Sequence, residues 1–455
     1  MAEQDPDVLT AAQLTEDAWR YCITPLQPVA QIREGGLRIY KSGDGVRLTD
    51  YDDHVYLDMM SANTRANSLG YGNAEIAAAV AEQLQNVHYV GAVNNFAEPT
   101  IRLARRIAEK APGDLSRVLF VSGGSEAVEA AIKIARQYQV QSGRKPGAYK
   151  IISRWNAYHG ATMGAMGATD WLNIRNASGP SSPGYSFVPG PTNYRNPLGI
   201  DDLAYAEWCA DQLEHQILHE GPDQVAAVIA EPVMQANGVQ IAPPAYFQRV
   251  REICDRYGVL WINDEVITGF GRTGNWFAIE RAGVVPDIMT FAKAMTAGYA
   301  PMGGVITTPA IIDALQTFHH IHTFSGHAGS AAAANSVITI KERDNLIDKA
   351  RVDGAWFLDG LQEVLEPLSI VGQVRGVGMW LAVDFTSDKE TKAPFTDDTV
   401  KAVVNRMYDY GVIASAIGTS FELAPPLITS RVDLDEVVKI TERSIREIAS
   451  ERGFS

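Results

Sequence analysis

The chain has 455 residues, of which 46% are hydrophobic and 20% are charged, and its formal net charge is −15. This length and balance predict a globular protein of two or more domains with a large core. The dispersed acidic charge argues against nucleic acid and anionic membranes as partners, and no apolar run approaches the roughly 20 residues of a membrane span.

The start of the chain and its cysteines and histidines argue against a secreted, disulfide-bonded or metal-binding protein. MAEQDPDVLT is acidic where a secretion signal would be basic and then apolar, so we expect a cytoplasmic protein. The thiols are Cys22, Cys209 and Cys254. They are far apart and in no CxxC arrangement, which predicts neither disulfides nor a zinc site. His215 and His219 lie four residues apart and three histidines cluster within 319–322, but no acid or cysteine pattern completes a metal site, and none is predicted.

The N-terminal region is predicted to be an arm followed by a small sheet. Residues 1–37 show no strong helix or strand pattern, although Trp19 and Tyr21 lie there, so we expect an irregular arm. Apolar and turn residues alternate across 36–58, which predicts a small antiparallel meander.

A glycine-containing turn then joins a buried strand to a helix. Helices are predicted at 75–85 and 99–110 from apolar residues at helical spacing, and an apolar strand at 118–121 runs into the turn SGGS at 122–125. Free backbone N–H groups and the positive end of the following helix point at this turn, and Ser125 adds a hydroxyl. The turn is therefore predicted to bind an anion such as phosphate.

Short apolar runs predict the other strands of a buried sheet. They lie at residues 150–153, 225–230, 259–262, 288–292 and 304–307. Between the first two of these strands, residues 179–197 are rich in Gly, Pro, Ser and Asn, which predicts a long loop.

The C-terminal part predicts a smaller α+β unit. An alanine-rich helix is expected at 330–341, strands within 372–385 and a helix at 397–410. Asp433 with Glu436 predicts a capping box before the terminal helix.

Two of the predicted strands end in charged residues. The run at 259–262 stops at Asp264, and the run at 288–292 stops at Lys293. Ligands of open α/β sheets bind at the carboxyl ends of the strands, so this acid and this amine can meet one cofactor there. A lysine that forms a Schiff base and an acid that keeps a pyridine nitrogen protonated are what pyridoxal phosphate requires.

The sequence around these residues resembles a known family. DEVITGFGRTG at 264–274, followed by PDIMTFAKAMTAGYAPMGG at 286–304, is similar to the class III aminotransferases, and the resemblance extends over about 36–448. It implies an α/β fold of type I, with a mostly parallel seven-stranded sheet in a large domain and a small α+β domain made from both chain ends. We expect an arm and part of the small domain at 1–75, the large domain at 76–330 and the remainder of the small domain at 331–455.

The resemblance also implies which residues surround the cofactor. They are Gly124, Ser125, Tyr158, His159, Glu231, Asp264, Val266, Lys293 and Thr323. Gly124 and Ser125 belong to the phosphate turn, and Tyr158 and Val266 cover opposite faces of the pyridine ring. Thr323 reaches the cofactor phosphate of a second subunit, so the resemblance implies a homodimer or a dimer of dimers.

The predicted substrate residues depart from the family in one place. Many members carry a mobile arginine where this chain has Ser415, and a serine cannot form a bidentate ion pair with a carboxylate. Arg65 is therefore a candidate for binding the substrate carboxylate. Tyr21, Ala92 and Tyr158 complete the predicted pocket, and the small Ala92 favours large substrates.

These observations predict a transaminase that moves an amino group from a bulky or aromatic primary amine, or an omega-amino acid, to pyruvate or a similar keto acid. The same apparatus serves epimerases, aminomutases and decarboxylases, so these reactions remain alternatives. A non-catalytic binding protein on this fold is a more distant alternative.

Overall fold

A computed structural model of the chain describes residues 9–26, 29–91, 93–192, 194–236 and 238–454. The α-helices among these residues are α1 Ala11–Tyr21, α2 Val29–Gly35, α3 Ala74–Asn86, α4 Glu98–Ala108, α5 Gly124–Gln141, α6 Met163–Ala168, α7 Leu172–Arg175, α8 Asp202–Glu220, α9 Pro244–Tyr257, α10 Pro309–Asp313, α11 Ala328–Arg343, α12 Leu346–Leu365, α13 Thr399–Asp409 and α14 Arg431–Glu451.

The strands of the described ranges are β1 Tyr40–Asp44, β2 Arg47–Asp50, β3 Val55–Asp58, β4 Arg117–Val121, β5 Lys150–Arg154, β6 Tyr185–Val188, β7 Val225–Ala230, β8 Val233–Met234, β9 Gln240–Ile241, β10 Leu260–Asp264, β11 Ile288–Phe291, β12 Gly303–Thr307, β13 Val371–Val377, β14 Trp380–Phe385, β15 Val412–Ile413, β16 Ser415–Ile417 and β17 Ser420–Leu423.

A seven-stranded sheet of order β4-β12-β11-β10-β7-β5-β6 forms the centre of the molecule. β12 runs antiparallel to both of its neighbours, and the strands from β11 to β6 pair in parallel. The predicted mostly parallel sheet is confirmed. The carboxyl ends of β4, β5, β7, β10 and β11 consequently share one edge.

Helices cover both faces of this sheet because its strands are apolar on both sides. On β10, Leu260 and Ile262 pack into a cluster with α5, whereas Trp261 between them packs into a cluster with α4, α8 and α9. Trp261 and Ile262 are fully buried. Alternate side chains of one strand thus join two cores, which fixes the register of the strand.

Two smaller sheets form beside the large one. The meander β1-β2-β3 is extended by β15, which pairs in parallel with β3, so the two ends of the chain share a sheet. The other sheet has the order β13-β14-β17-β16. This arrangement agrees with a small unit built from both chain ends, while the domain boundaries at 75 and 330 stay a prediction.

Three local predictions are wrong. The arm begins with α1, which Thr10 and Gln13 cap reciprocally, and this capping box outweighs the weak apolar pattern of the segment. The predicted loop at 179–197 contains β6, the edge strand of the large sheet, which the density of turn residues conceals. The terminal helix is capped by Ser430, whose hydroxyl accepts from the N–H of Asp433 at 3.2 Å.

Candidate active site

Asp264 and Lys293 lie at the same edge of the sheet, as predicted. Asp264 ends β10, where it is the register partner of Thr290 on β11, and Lys293 follows the end of β11 after one residue. Lys293 begins a single 3₁₀ turn and has a φ of 45°, a left-handed conformation that costs free energy in a residue with a side chain.

Lys293 is half-buried and, among the described residues, its Nζ donates no hydrogen bond and forms no ion pair. Burial lowers the pKa of Lys293 to about 7, and the positive charge of Arg65 acts in the same direction. An amine with this pKa is substantially neutral at neutral pH, and a neutral amine is a nucleophile and a base.

Asp264 is buried, and three hydrogen-bonding groups hold its carboxylate in place. Its Oδ1 accepts from the N–H of Val266 at 3.1 Å and from the hydroxyl of Thr290 at 3.0 Å. Its Oδ2 lies 2.7 Å from Nδ1 of His159. A carboxylate has about four acceptor positions, so Asp264 can accept one further donor.

His159 connects Asp264 to a second buried acid, Glu231, which follows β7. The Nε2 of His159 lies 3.7 Å from Oε2 of Glu231 and has no hydrogen-bond partner among the described residues. Glu231 accepts from Nη2 of Arg154 at 3.0 Å and from the N–H of Tyr158 at 3.2 Å. The hydrogen-bonded Glu231 thus lies behind His159, and His159 in turn fixes the position of Asp264.

The predicted phosphate turn lies against the same site. A Cβ atom on Gly124 would come within 2.8 Å of Val266, and one on Gly160 would come within 2.6 Å of the Ser125 hydroxyl. That hydroxyl accepts from the N–H of Ala161 at 3.2 Å. The glycines let the first turn of α5 approach the loops after β5 and β10. The free N–H groups of this turn lie at the start of the helix, where an anion can bind.

Tyr158 is half-buried at this edge. Its ring packs edge-on against Trp171 with centroids 5.4 Å apart. Burial raises the pKa of its hydroxyl, and the nearby charge of Asp264 raises it further, so Tyr158 carries a neutral ring beside the acid. A neutral aromatic ring can cover a flat pyridine.

Arg65, the proposed carboxylate-binding residue, already has an acidic partner within the chain. Its Nε and Nη2 donate to Oε2 of Glu422 on β17 at 2.8 and 2.6 Å, and both residues are buried. Nε1 of Trp380 donates to the same oxygen at 3.0 Å, whereas the other oxygen of Glu422 has no partner among the described residues. With its amide oxygen turned to the guanidinium, Gln235 accepts from Nη1 and Nη2 at 3.0 Å.

The remaining predicted substrate residues are placed as follows. Ser415 on β16 is the register partner of Glu422 on β17. The position where the family carries its arginine is therefore directly across from the acid that binds Arg65. Tyr21 ends α1 and is 69% exposed, with no described contact to Lys293. Ala92 lies outside the described residues. Thr323 is exposed, and its carbonyl accepts from the hydroxyl of Tyr89 at 2.7 Å.

The backbone beside Arg65 is unusually strained. Ser61, Ala62, Asn63 and Arg65 have φ values of 46°, 60°, 59° and 63° in one π-type turn. Each such residue costs of order 1–3 kcal/mol, and clusters of them occur at ligand sites. This strain supports a functional role for the segment that carries Arg65.

Sequence reasoning missed six residues of this site: Arg154, Trp171, Gln235, Thr290, Trp380 and Glu422. Arg154 offered a usable signal, since it ends β5 as Asp264 ends β10. Glu422 offered another, since it is a charged residue inside the apolar run of β17. Nothing local singles out Thr290 or Trp380, whose roles depend on strand pairing.

These residues fit pyridoxal phosphate. The amine of Lys293 has no hydrogen-bond partner among the described residues, Asp264 retains an acceptor position beyond its three partners, and Gly124 and Gly160 leave room beside the predicted phosphate turn. The chemistry of this donor set matches an aldehyde, a pyridine nitrogen and a phosphate, respectively.

Among the described helices, none has the length and apolar character that spanning a membrane requires. Within the same residues, Asp50, Asp52 and His54 bring three possible metal ligands within 4.8 Å on the small meander. Neither of the histidine groups noted in the sequence belongs to that cluster.

Comparison with known proteins gives a consistent answer. The family profile described as Aminotransferase class-III matches residues 30–445. A taurine–pyruvate aminotransferase of Bilophila wadsworthia is 36% identical over 91% of this chain and 94% of that one. A putrescine–pyruvate aminotransferase of Pseudomonas aeruginosa is 33% identical over 94% of each chain.

Solved structures are similar over almost the whole chain. An (S)-enantioselective omega-transaminase from Thermomicrobium roseum superposes with a TM-score of 0.93 at 36% identity, covering 97% of this chain and 100% of that one. An amine transaminase from an uncultivated Pseudomonas species, solved in its PLP-bound form, gives 0.89 at 36% identity, covering 94% and 98%.

Proposed function

Because this chain belongs to the class III aminotransferases, which depend on pyridoxal phosphate, we propose that it moves an amino group from a bulky or aromatic primary amine, or an omega-amino acid, to pyruvate or a similar small keto acid. We further propose a ping-pong sequence in which amine and keto acid use the site in turn. The observation that carries the proposal is the unpartnered amine of Lys293, with its pKa near 7, at the strand edge that ends in Asp264.

When bound, the cofactor supplies a ring that takes up the electrons released at the substrate carbon. Lys293 would hold the cofactor, and its neutral Nζ would be the base that takes the proton from that carbon and returns it one position along. Asp264 would accept the N–H of the pyridine through its remaining acceptor position. His159, with Glu231 behind it, keeps Asp264 in place, and the first turn of α5 would bind the phosphate.

We assign recognition of the keto-acid carboxylate to Arg65, which must then share its guanidinium with Glu422. Planar guanidinium groups can bind two carboxylates at once through separate edges, so sharing requires only that Nη1 turn from Gln235 to the substrate. With Ser415 in place of an arginine, a second carboxylate at the far end of the substrate finds no cation there. This argues for pyruvate over 2-oxoglutarate. Two of the curated relatives are named for pyruvate.

The proposed preference for a bulky amine donor depends on the size of the substrate pocket. Ser415 and Ala92 are both small residues in the segments assigned to the substrate pocket, which leaves room for a bulky group. The relatives named for taurine and putrescine show that compact, charged amines must be included in the test.

We also propose a homodimer with shared active sites. The hydroxyl of Tyr89 donates to the carbonyl of Thr323, and the two segments that this bond joins expose several apolar side chains: Val93, Phe96, Ile321 and Phe324 are 62%, 71%, 67% and 60% exposed. Exposed apolar side chains of this kind are typical of a protein interface. A second copy is its proposed occupant, since Thr323 then reaches the partner's phosphate turn.

The test is a panel of amine donors and keto-acid acceptors with the purified protein. With an aromatic donor such as 1-phenylethylamine, we expect kcat/KM for pyruvate to exceed kcat/KM for 2-oxoglutarate by at least about tenfold. This factor corresponds to the loss of one charged hydrogen bond. Lys293→Ala is the control for background. Strong use of 2-oxoglutarate would contradict the acceptor assignment. Racemisation or loss of CO₂ without amino transfer would favour the epimerase or decarboxylase alternative.

A further inference from the structure

A second lysine, Lys341, is fully buried close to the candidate active site. It lies near the end of α11. Its Nζ donates to the carbonyl of Phe270 at 2.8 Å and to the carbonyl of Ala294 at 2.7 Å. The ring of Phe270 lies beside the amine, with its centroid 5.9 Å from Nζ.

No described acid forms an ion pair with this lysine, which is unusual for a buried amine. Burial lowers the pKa of Lys341 well below its ordinary value, and the charge of Arg272 acts in the same direction. A lysine amine has at least two N–H groups in either protonation state, and the two carbonyls accept from two of them. The hydrogen bonds to Phe270 and Ala294 thus satisfy the side chain without an acidic partner.

The two carbonyls belong to the two loops that carry the proposed chemistry. Ala294 directly follows Lys293 in the 3₁₀ turn, and Phe270 lies in the loop that leaves β10 after Asp264. Both loops are strained at these points, since Phe270 has a φ of 59° and Lys293 a φ of 45°. Strained turns persist only where surrounding contacts hold them.

We propose that Lys341 is a positioning residue, which ties the Lys293 turn to the Asp264 loop through its two hydrogen bonds and so holds the Lys293 amine at the reacting position. The proposal rests on the proposed function for its catalytic consequence, but the tie between the loops is a structural claim of its own. Lys341 touches neither cofactor nor substrate in this account. It acts through the backbone of Ala294.

Two substitutions of equal length separate donation from packing. Lys341→Met removes both N–H donors and keeps an apolar chain, whereas Lys341→Gln is as long as methionine and restores an NH₂ group. The matched control is Lys145→Met, because Lys145 is also a buried lysine that donates to a carbonyl, that of Pro222 at 2.7 Å, but at another place in the fold.

The readouts are steady-state kinetics of the cofactor-loaded protein and hydrogen exchange of the cofactor-free protein by mass spectrometry. For Lys341→Met we expect kcat to fall about 10- to 100-fold, as for a misplacement of order 1 Å, with the KM for the amine within about twofold. Exchange should accelerate in both 265–277 and 293–299. Lys341→Gln should recover part of kcat, and Lys145→Met should change neither segment.

Equal kcat values in Lys341→Met and the parent, or unchanged exchange in both segments, would overturn the proposal while leaving the transaminase assignment intact. Identical losses in the methionine and glutamine variants would overturn it too, because they would show that packing alone matters. If the parent protein transferred no amino groups, the exchange measurement would still decide whether Lys341 ties the loops. If the methionine variant did not fold, comparing Lys341→Gln with the parent would carry the test.

Discussion

Substitutions of Arg65 and of its partner Glu422 should change the KM for pyruvate in opposite directions. Removing the charge of Glu422 frees Arg65 to bind the keto-acid carboxylate, so Glu422→Gln should lower the KM for pyruvate. Removing Arg65 deletes the proposed anchor, so Arg65→Met should raise that KM. A purely structural ion pair would affect stability in both variants and would leave the KM for pyruvate unchanged relative to the KM for the amine.

The magnitudes follow from the geometry. At the 2.6 Å separation of Nη2 and Oε2, two unit charges attract by about 6 kcal/mol at an effective dielectric constant of about 20. Leaving one of two buried partners unpaired costs about 3–5 kcal/mol of folding free energy, so each single variant should be destabilised by that amount. The double variant Arg65→Met/Glu422→Gln should recover most of the loss. A charged hydrogen bond to a substrate is worth about 1.5–3 kcal/mol, which predicts a rise of roughly 10- to 150-fold in the KM for pyruvate in Arg65→Met.

Stability is compared by urea titration at one protein concentration, and the KM values for pyruvate and for the amine are measured separately. Arg251→Met is the matched control, because Arg251 pairs with Asp287 at 2.8 Å at the opposite end of β11 from Lys293. It should lose stability without changing either KM. If Arg65→Met and Glu422→Gln shifted the KM for pyruvate in the same direction, or not at all, the recognition role given to Arg65 would be wrong.

Three further predictions address the cofactor site and the assembly. Asp264→Asn should lower kcat by about 100-fold with little loss of stability, because an amide cannot favour a protonated pyridine; parent-like rates would contradict its role. In the cofactor-free protein, the reaction of Lys293 with an acylating reagent should have its midpoint near pH 7, and a midpoint near 10.5 would contradict the lowered pKa. Between pH 7 and 10.5 only the unfolded chain keeps the proton on this amine. The contribution of Lys293 to the free energy of unfolding should therefore rise with pH over that range. Because Thr323 is assigned to the partner's phosphate, dilution should release cofactor as the chains dissociate, followed by absorbance and light scattering; a monomer that retains cofactor would contradict the shared site.

The large sheet could be predicted because its strands are locally encoded. Apolar runs that end in a charge mark both the strand and its carboxyl edge, so the run before Asp264 and the run before Lys293 gave the strands and the edge that these two residues share. The mostly parallel pairing was implied by the resemblance to the class III aminotransferases, and the rule that ligands bind at the carboxyl ends of strands placed Asp264 and Lys293 at one site. The GGS turn before α5 was visible for the same reason, since turn and helix are adjacent in sequence.

The parts that escaped prediction depend on distant contacts. Arg65 and Glu422 are 357 residues apart, and only the packing of the strained 61–65 turn against β17 brings them together. The short α1 was missed because its stability comes from one reciprocal cap at Thr10 rather than from an apolar face. The edge strand β6 was missed because pairing with β5, and not its own sequence, makes it a strand.

Lys293 is proposed to hold the cofactor, and chemical trapping of the linkage between them tests this assignment. The purified protein is loaded with pyridoxal phosphate, reduced with borohydride and digested, and the modified peptide is found by mass spectrometry. We expect a single phosphopyridoxyl group on Lys293 and none in a Lys293→Ala variant that remains folded. Modification at a different lysine, such as Lys341 or Lys145, or equal modification in Lys293→Ala, would contradict it.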